Sequence, residues 1–233
     1  MRSQDRAARL KHIEILGALS EDALTRVTQG CKWRDYGAGE QILAYQDAST
    51  DLLFLLAGRA RVIIYSADGK PVLFVDLAPP TMFGEVAALD RKPRSASVEA
   101  LDACTVASLS ATGFEAVLTR EPTVAVATLR HVAAEVRRLS ERVFEFSTMM
   151  VRNRIQAELV RLAGVSGTSQ GEVVLSPAPS LSDIAGRVST HREAVSRELS
   201  RLVSIGVLRR NHGDLIVTSM SKLSGLVEEA KGE

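Results

Sequence analysis

Several things are scarce in this 233-residue chain, and each shortage narrows what it can be. A membrane-spanning helix needs about 18 or more consecutive apolar residues, and no such run occurs. The opening stretch MRSQDRAARLKHIE also lacks the apolar segment of a signal peptide, so a cytoplasmic location is expected. Cysteine appears twice, as Cys31 and Cys104, with no CxxC spacing. Two isolated cysteines read as reduced thiols, not as a metal or iron–sulfur site. His12, His131, His191 and His212 are scattered without ligand spacing, so no metal set is expected. The chain shows no nucleophile–base pair and no phosphate-cradling P-loop, and it does not read as an enzyme. Net charge is also low, at +1, but it is unevenly spread. Between Arg187 and Arg210 stand six arginines (187, 192, 197, 201, 209, 210) and two glutamates (193, 198), and six minus two leaves a local +4. Such a concentration suits an anionic partner.

What is present falls into three zones. Residues from about 30 to 110 carry short apolar or alternating runs broken by Gly37, Gly39, Gly58 and Asp68-Gly69. The Asp-Gly pair between Val62–Tyr65 and Val72–Val75 signals a hairpin, and the regular spacing predicts an antiparallel sandwich or barrel. Short helices precede it, the second capped by Ser20. A long helix then opens near Pro122. Its Leu129, Val132, Val136, Leu139, Val143, Phe146 and Met150 recur at alternating steps of three and four, the seam of a coiled coil. A stripe this narrow predicts a parallel homodimer, on a helix of about 28 residues and about 42 Å. The remainder reads as helices around a small hairpin turning at His212-Gly213. The chain accordingly divides into residues 1–121, a dimerisation helix with a hinge over 122–150, and a third domain over 151–233.

Two motifs carry the chemistry. In LSDIAGRVSTHREAVSRELSRL, Ser182 is expected to cap one short helix and Thr190 a second, with Val188-Ser189 as the turn. That is the spacing of a helix-turn-helix. His191, Arg192, Glu193, Ser196 and Arg197 would then be exposed at the start of the second helix, where side chains enter a DNA major groove. Arginine can bind guanine through two hydrogen bonds, and glutamate can accept from a cytosine amino group. Arg201 and Arg209 extend the basic surface, and Arg209-Arg210 falls on a following hairpin, or wing. The second motif, FGEVAALDRKPRSASV (residues 83–98), sets Glu85 and Arg94 among small residues. Read alone, it fits either a surface ion pair or a pocket for a ligand bearing a hydroxyl and a phosphate. Gly84 would admit close backbone approach, and Arg94 with Ser95 would hold an anion.

The helix pair and its wing resemble the winged helix-turn-helix of the CRP/FNR family of bacterial transcription regulators, with Arg192-Glu193-x-x-x-Arg197 in register. One departure is Ser189, where the family usually has glycine. The stretch from Phe83 to Val98 resembles that family's phosphate-binding cassette, and the likeness extends over residues 10 to 220. It implies an α+β chain: a β jelly roll that binds a cyclic nucleotide, a long coiled-coil dimerisation helix, and a C-terminal winged helix-turn-helix. Phe83, Gly84, Glu85, Val86, Arg94 and Ser95 would hold the nucleotide, with Glu85 accepting from the ribose 2′-hydroxyl and Arg94 bound to the phosphate. Ser182, Thr190, His191, Arg192, Glu193, Ser196, Arg197, Arg201 and Arg209 would form the face toward double-stranded DNA, a palindrome of TGTGA-type half-sites. RNA polymerase is implied as a further partner. By the same likeness Leu139 and Ser140 fall where the base is contacted across the dimer. Leucine cannot hydrogen-bond an exocyclic amine, which weakens discrimination between purines: the resemblance puts cyclic AMP first, with cyclic GMP, or both, as the rival. Ligand contact near Leu139–Ser140 is expected to act through a hinge at Phe146–Met150. The alternative is a regulator of this family that binds DNA without nucleotide or senses another effector.

Overall fold

The computed structural model describes residues 3–66, 69, 71–165 and 172–232. The chain separates into two compact units, Met1–Val136 and Arg137–Glu233, and the long helix runs through the boundary.

In the first unit α1 (Ser3–Lys11) and α2 (Glu21–Gly30) precede the strands. Ser20 caps α2 as its sequence signals, its side chain accepting the Ala23 N–H at 3.3 Å. Eight strands follow: β1 (Cys31–Tyr36), β2 (Gln41–Leu43), β3 (Leu52–Ala57), β4 (Ala60–Tyr65), β5 (Pro71–Leu77), β6 (Thr81–Phe83), β7 (Ser97–Ala100) and β8 (Cys104–Leu109). They form two antiparallel sheets, ordered β1-β8-β3-β6 and β2-β7-β4-β5. The chain crosses repeatedly from one sheet to the other, as in a jelly roll. The LLFLL of β3 shows how sequence period builds the layers. Leu53 and Leu55 fill the space between the sheets with Val98 and Val106. Leu52 and Phe54 point the other way, against Leu10, Leu24 and Phe114 of the helices that cover the sheet. A strand buried on both faces reads as a continuous apolar run. β4 and β5 pair as the hairpin signal predicts, with Val62 opposite Val75. Gly69 lies at its turn with φ +76°, and Asp68 lies outside the described residues.

Gly84 links β6 to a six-residue helix, α3 (Glu85–Asp90). After α4 (Ala111–Arg120), the long helix α5 spans Pro122–Thr148, 27 residues. Its first turns belong to the core of the first unit through Val124 and Ala127.

The second unit contains α6 (Val151–Val165), β9 (Val173–Leu175), α7 (Leu181–Arg187), α8 (Arg192–Ser204), β10 (Leu208–Asn211), β11 (Asp214–Val217) and α9 (Met220–Lys231). Its three strands are ordered β10-β11-β9. His212 and Gly213 both have positive φ, the backbone a tight hairpin turn requires. Ile155, Ile184, Val195, Leu202 and Val217 form the centre of one apolar core.

Two caps differ from expectation. Ser180, not Ser182, caps α7, accepting the Asp183 N–H at 3.0 Å. Ser182 is exposed inside the helix. Two serines two residues apart are equally able to cap, and the chain starts the helix at the earlier one. Thr190 does not cap α8 either: His191 occupies that position and makes no side-chain cap bond. The turn itself lies where the sequence puts it, and Ser189 has φ +49°. A non-glycine residue there costs roughly 1–2 kcal/mol, and glycine returns roughly 0.5–1 kcal/mol of that as chain entropy. Ser189→Gly is therefore expected to stabilise the protein by about 0.5–1 kcal/mol, read as a higher denaturant midpoint at unchanged slope.

Candidate functional site

Arg94 is the centre of the first site. It follows α3 and is only 2% exposed. Its Nε donates to Ser49 Oγ at 3.1 Å, Nη1 to the Gly84 carbonyl at 3.0 Å and Nη2 to the Asp51 carbonyl at 2.8 Å. The backbone is fastened as well: Arg94 N–H donates to Asp47 O, and Gln46 N–H to Arg94 O. Among the described residues the guanidinium makes no ion pair. Burial pulls it below the usual arginine range, opposed by the charges of Asp51, Asp47 and Glu85. Three of five N–H donors are used, so two remain for a ligand.

Gly84 makes this approach possible. Its φ is +76°, and a Cβ there would lie 2.6 Å from Arg94 Nη1. Glu85, the next residue, is half-buried, and its carboxylate makes no hydrogen bond or ion pair among the described residues. Phe83 is buried beneath, and Val86 and Ser95 are exposed. The Glu85–Arg94 surface ion pair that the sequence also allows does not form.

Sequence reading missed Ser49, Asp51 and the loop that carries them. Its only local signal is Asp47-x-Ser49, whose Ser49 N–H donates to Asp47 Oδ1 at 2.6 Å in a side-chain turn. Those bonds hold the Asp47 carboxyl below its ordinary range.

The second site is the exposed edge of α8. His191, Arg192, Glu193 and Arg197 are exposed, and Ser196 is half-buried. Val195, Leu199 and Leu202 on the opposite side are buried, so packing decides which residues face outward. Two outlying arginines are already engaged. Arg201 closes its fork on Glu198, at 2.9 Å and 2.7 Å, and Glu198 also accepts from Gln156 at 2.6 Å. Arg209 in the wing donates to Glu172 at 2.6 Å. A groove of about 300 Å³ runs beside α8, lined by Val151, Arg152, Ile155, Arg197 and Arg201 among others. Arg152 was not identified from the sequence, because its partners in the groove come from a distant helix.

Along α5, Leu129, Val136, Leu139 and Val143 are 69%, 57%, 43% and 65% exposed, an uncovered apolar stripe. Val132 is half-buried. Two expected seam positions depart from the stripe. Met150 lies beyond the helix, which ends at Thr148. Phe146 sits under the guanidinium groups of Arg142 and Arg154, at 5.2 Å and 4.8 Å.

Among the described residues no group of three or more His, Cys, Asp or Glu is arranged to hold a metal ion. No described helix is long and apolar enough to cross a membrane. Burial pushes the Cys31 thiol up to about 12, and burial also raises Cys104.

Residues 33–121 match the cyclic nucleotide-binding domain family, and residues 153–226 the Crp-like helix-turn-helix domain family. The cyclic AMP receptor protein of Thermus thermophilus is 30% identical over 82% of this chain and 85% of its own. The chain belongs to the CRP/FNR family. The cAMP-dependent protein kinase regulatory subunit of Debaryomyces hansenii is 35% identical over 47% of this chain and 23% of its own. The solved structure of the c-di-GMP responsive global regulator CLP of Xanthomonas campestris superposes with a TM-score of 0.73 at 16% identity, covering 86% of this chain and all of the other. This is a family of transcription regulators with a cyclic nucleotide-binding domain and a DNA-binding helix-turn-helix. The jelly roll, the long helix and the winged C-terminal unit are the architecture that family membership implies.

Proposed function

We propose that the chain is a homodimeric transcription regulator whose grip on a palindromic operator is controlled by a cyclic nucleotide in the jelly roll. The observation that carries the reading is the buried Arg94, whose guanidinium makes no ion pair among the described residues and stands near Glu85, whose carboxylate has no hydrogen-bond or ion-pair partner among them. A buried cation is costly until an anion completes it. A cyclic phosphate would take the two spare N–H groups of Arg94, and Glu85 would accept from the ribose 2′-hydroxyl. The nucleotide is cyclic AMP, in keeping with the Thermus relative's name. Leu139 offers neither donor nor acceptor, so discrimination against cyclic GMP is weak. The exposed stripe on α5 supports pairing with a second copy, which would place two α8 helices against two half-sites. Bound there, the dimer would act on transcription through RNA polymerase.

Arg192, Glu193 and Arg197 read base edges in this proposal, and Arg201 and Arg209 stay at the flank. Calorimetric titration with cyclic AMP and cyclic GMP, with and without a TGTGA-N6-TCACA duplex, tests it. The expected result is that the duplex and the nucleotide tighten each other by the same factor. If neither nucleotide changes DNA affinity, the reading is wrong. Arg192→Ala is expected to lose about 1–3 kcal/mol of preference at one guanine. An equal loss on every sequence would instead make Arg192 a phosphate contact.

A further inference from the structure

Buried charge gathers in the second unit at a place that neither proposed site uses. Arg142 lies on α5, three residues beyond Leu139. Its Nη1 donates to Glu158 of α6 at 3.0 Å and lies 3.5 Å from Glu145. Its Nη2 donates to the carbonyl oxygen of Arg187, the last residue of α7. Arg161 binds Glu145 at 2.7 Å and lies 2.9 Å from Glu158, and the Arg187 guanidinium is 3.5 Å from Glu158. Glu145 and Glu158 are 6% and 4% exposed.

Buried ion pairs add little net stability over apolar packing, but breaking one is expensive because a charge is stranded. The cluster therefore matters chiefly for the geometry it holds, and two features are held. The first is the break at Met149–Met150, where a hinge is expected. Arg142 and Glu145 lie before it and Glu158 and Arg161 after it, so side chains staple it shut. The second is the end of α7. The last carbonyls of a helix lack partners within the helix, and here Arg142 supplies one. Val188 and the left-handed Ser189 follow at once, and then α8. The group that grips the entry to the helix-turn-helix turn is thus carried by the long helix itself.

We infer that Arg142 is a positioning residue that couples the seam at Leu139–Ser140 to the orientation of α8 by holding the Arg187 carbonyl. The inference rests on the functional reading above, since it assumes that nucleotide acts at that seam. A shift of α5 by a fraction of a turn would move Arg142 directly and alter the turn before α8. The Arg142 side chain thus links the helix that carries the seam directly to the carbonyl that precedes the turn into α8. A ligand works through such a link when it favours one position of Arg142 over another.

The test measures operator affinity with and without saturating cyclic AMP, and cyclic AMP affinity without DNA, for the native chain, Arg142→Gln and Glu158→Gln. Linked sites typically change each other's affinity roughly 5–150-fold. In Arg142→Gln that ratio is expected to collapse to about 1, while cyclic AMP affinity without DNA stays at its native value. A purely structural role would lower both together. Glu158→Gln keeps the side chain's shape and loosens the grip on Arg142, and it guards against a failure of Arg142→Gln to fold. It is expected to lower the ratio as well. If either folded variant keeps the native ratio, the inference is overturned. If the native chain itself shows no ratio, the functional reading falls and takes the inference with it.

Discussion

Arg94→Leu is expected to abolish measurable nucleotide binding and to lower stability at the same time. Two charge-assisted hydrogen bonds to a phosphate, at roughly 1.5–3 kcal/mol each, correspond to a loss of about 10²–10⁴-fold in affinity. The leucine also strands the Gly84 and Asp51 carbonyls and the Ser49 hydroxyl, all of which now accept from the guanidinium. Each of the two carbonyls left without a partner costs about 1–3 kcal/mol, while the exposed Ser49 hydroxyl can turn to water, so a stability loss of about 2–6 kcal/mol accompanies the binding defect. Arg94→Lys separates the two effects. Its ammonium can satisfy part of the carbonyl cradle but cannot present a planar fork, so stability recovers further than affinity. Calorimetric titration and a thermal melt of the same samples check both. A folded leucine variant that binds cyclic AMP within about threefold of native would remove Arg94 from the site.

Val136→Glu combined with Val143→Glu is expected to convert the protein to a monomer. Both side chains are more than half exposed on the isolated chain and seven residues apart, so they recur on one face of α5. Pairing two copies would put four carboxylates into an apolar seam, where unpaired charge is strongly disfavoured. Because the positions are exposed in the single chain, the fold has no reason to suffer. Far-ultraviolet dichroism is therefore expected to stay native while sedimentation reports a halved mass. Operator affinity falls by about 10²-fold or more, because two half-sites are no longer bound by one linked pair. A double variant that still sediments as a dimer would show that the α5 stripe is not the interface.

Much of this protein is local, and local features were legible. The apolar run of β3, the Ser20 cap, the start of α5 at Pro122 and the turn at Ser189 all follow from residues within one or two turns of each other. Family likeness then made Glu85 and Arg94 readable as a pair. Register was harder: Ser180 and Ser182 satisfy the same rule, and only the packing of Ile184 and Ala185 decides where α7 begins. Met150 fell outside the seam for a similar reason, because periodicity continues past the point where the chain leaves the helix.

The amino-acid order by itself determined the element types, the apolar stripe of α5 and the basic face of α8, since each is a matter of period or short spacing. Only the tertiary structure decided what holds the two key arginines. Ser49 lies 45 residues from Arg94, and the Arg187 carbonyl 45 residues from Arg142. Contacts over such distances depend on how whole elements pack, and a backbone carbonyl has no side chain by which a sequence could reveal it.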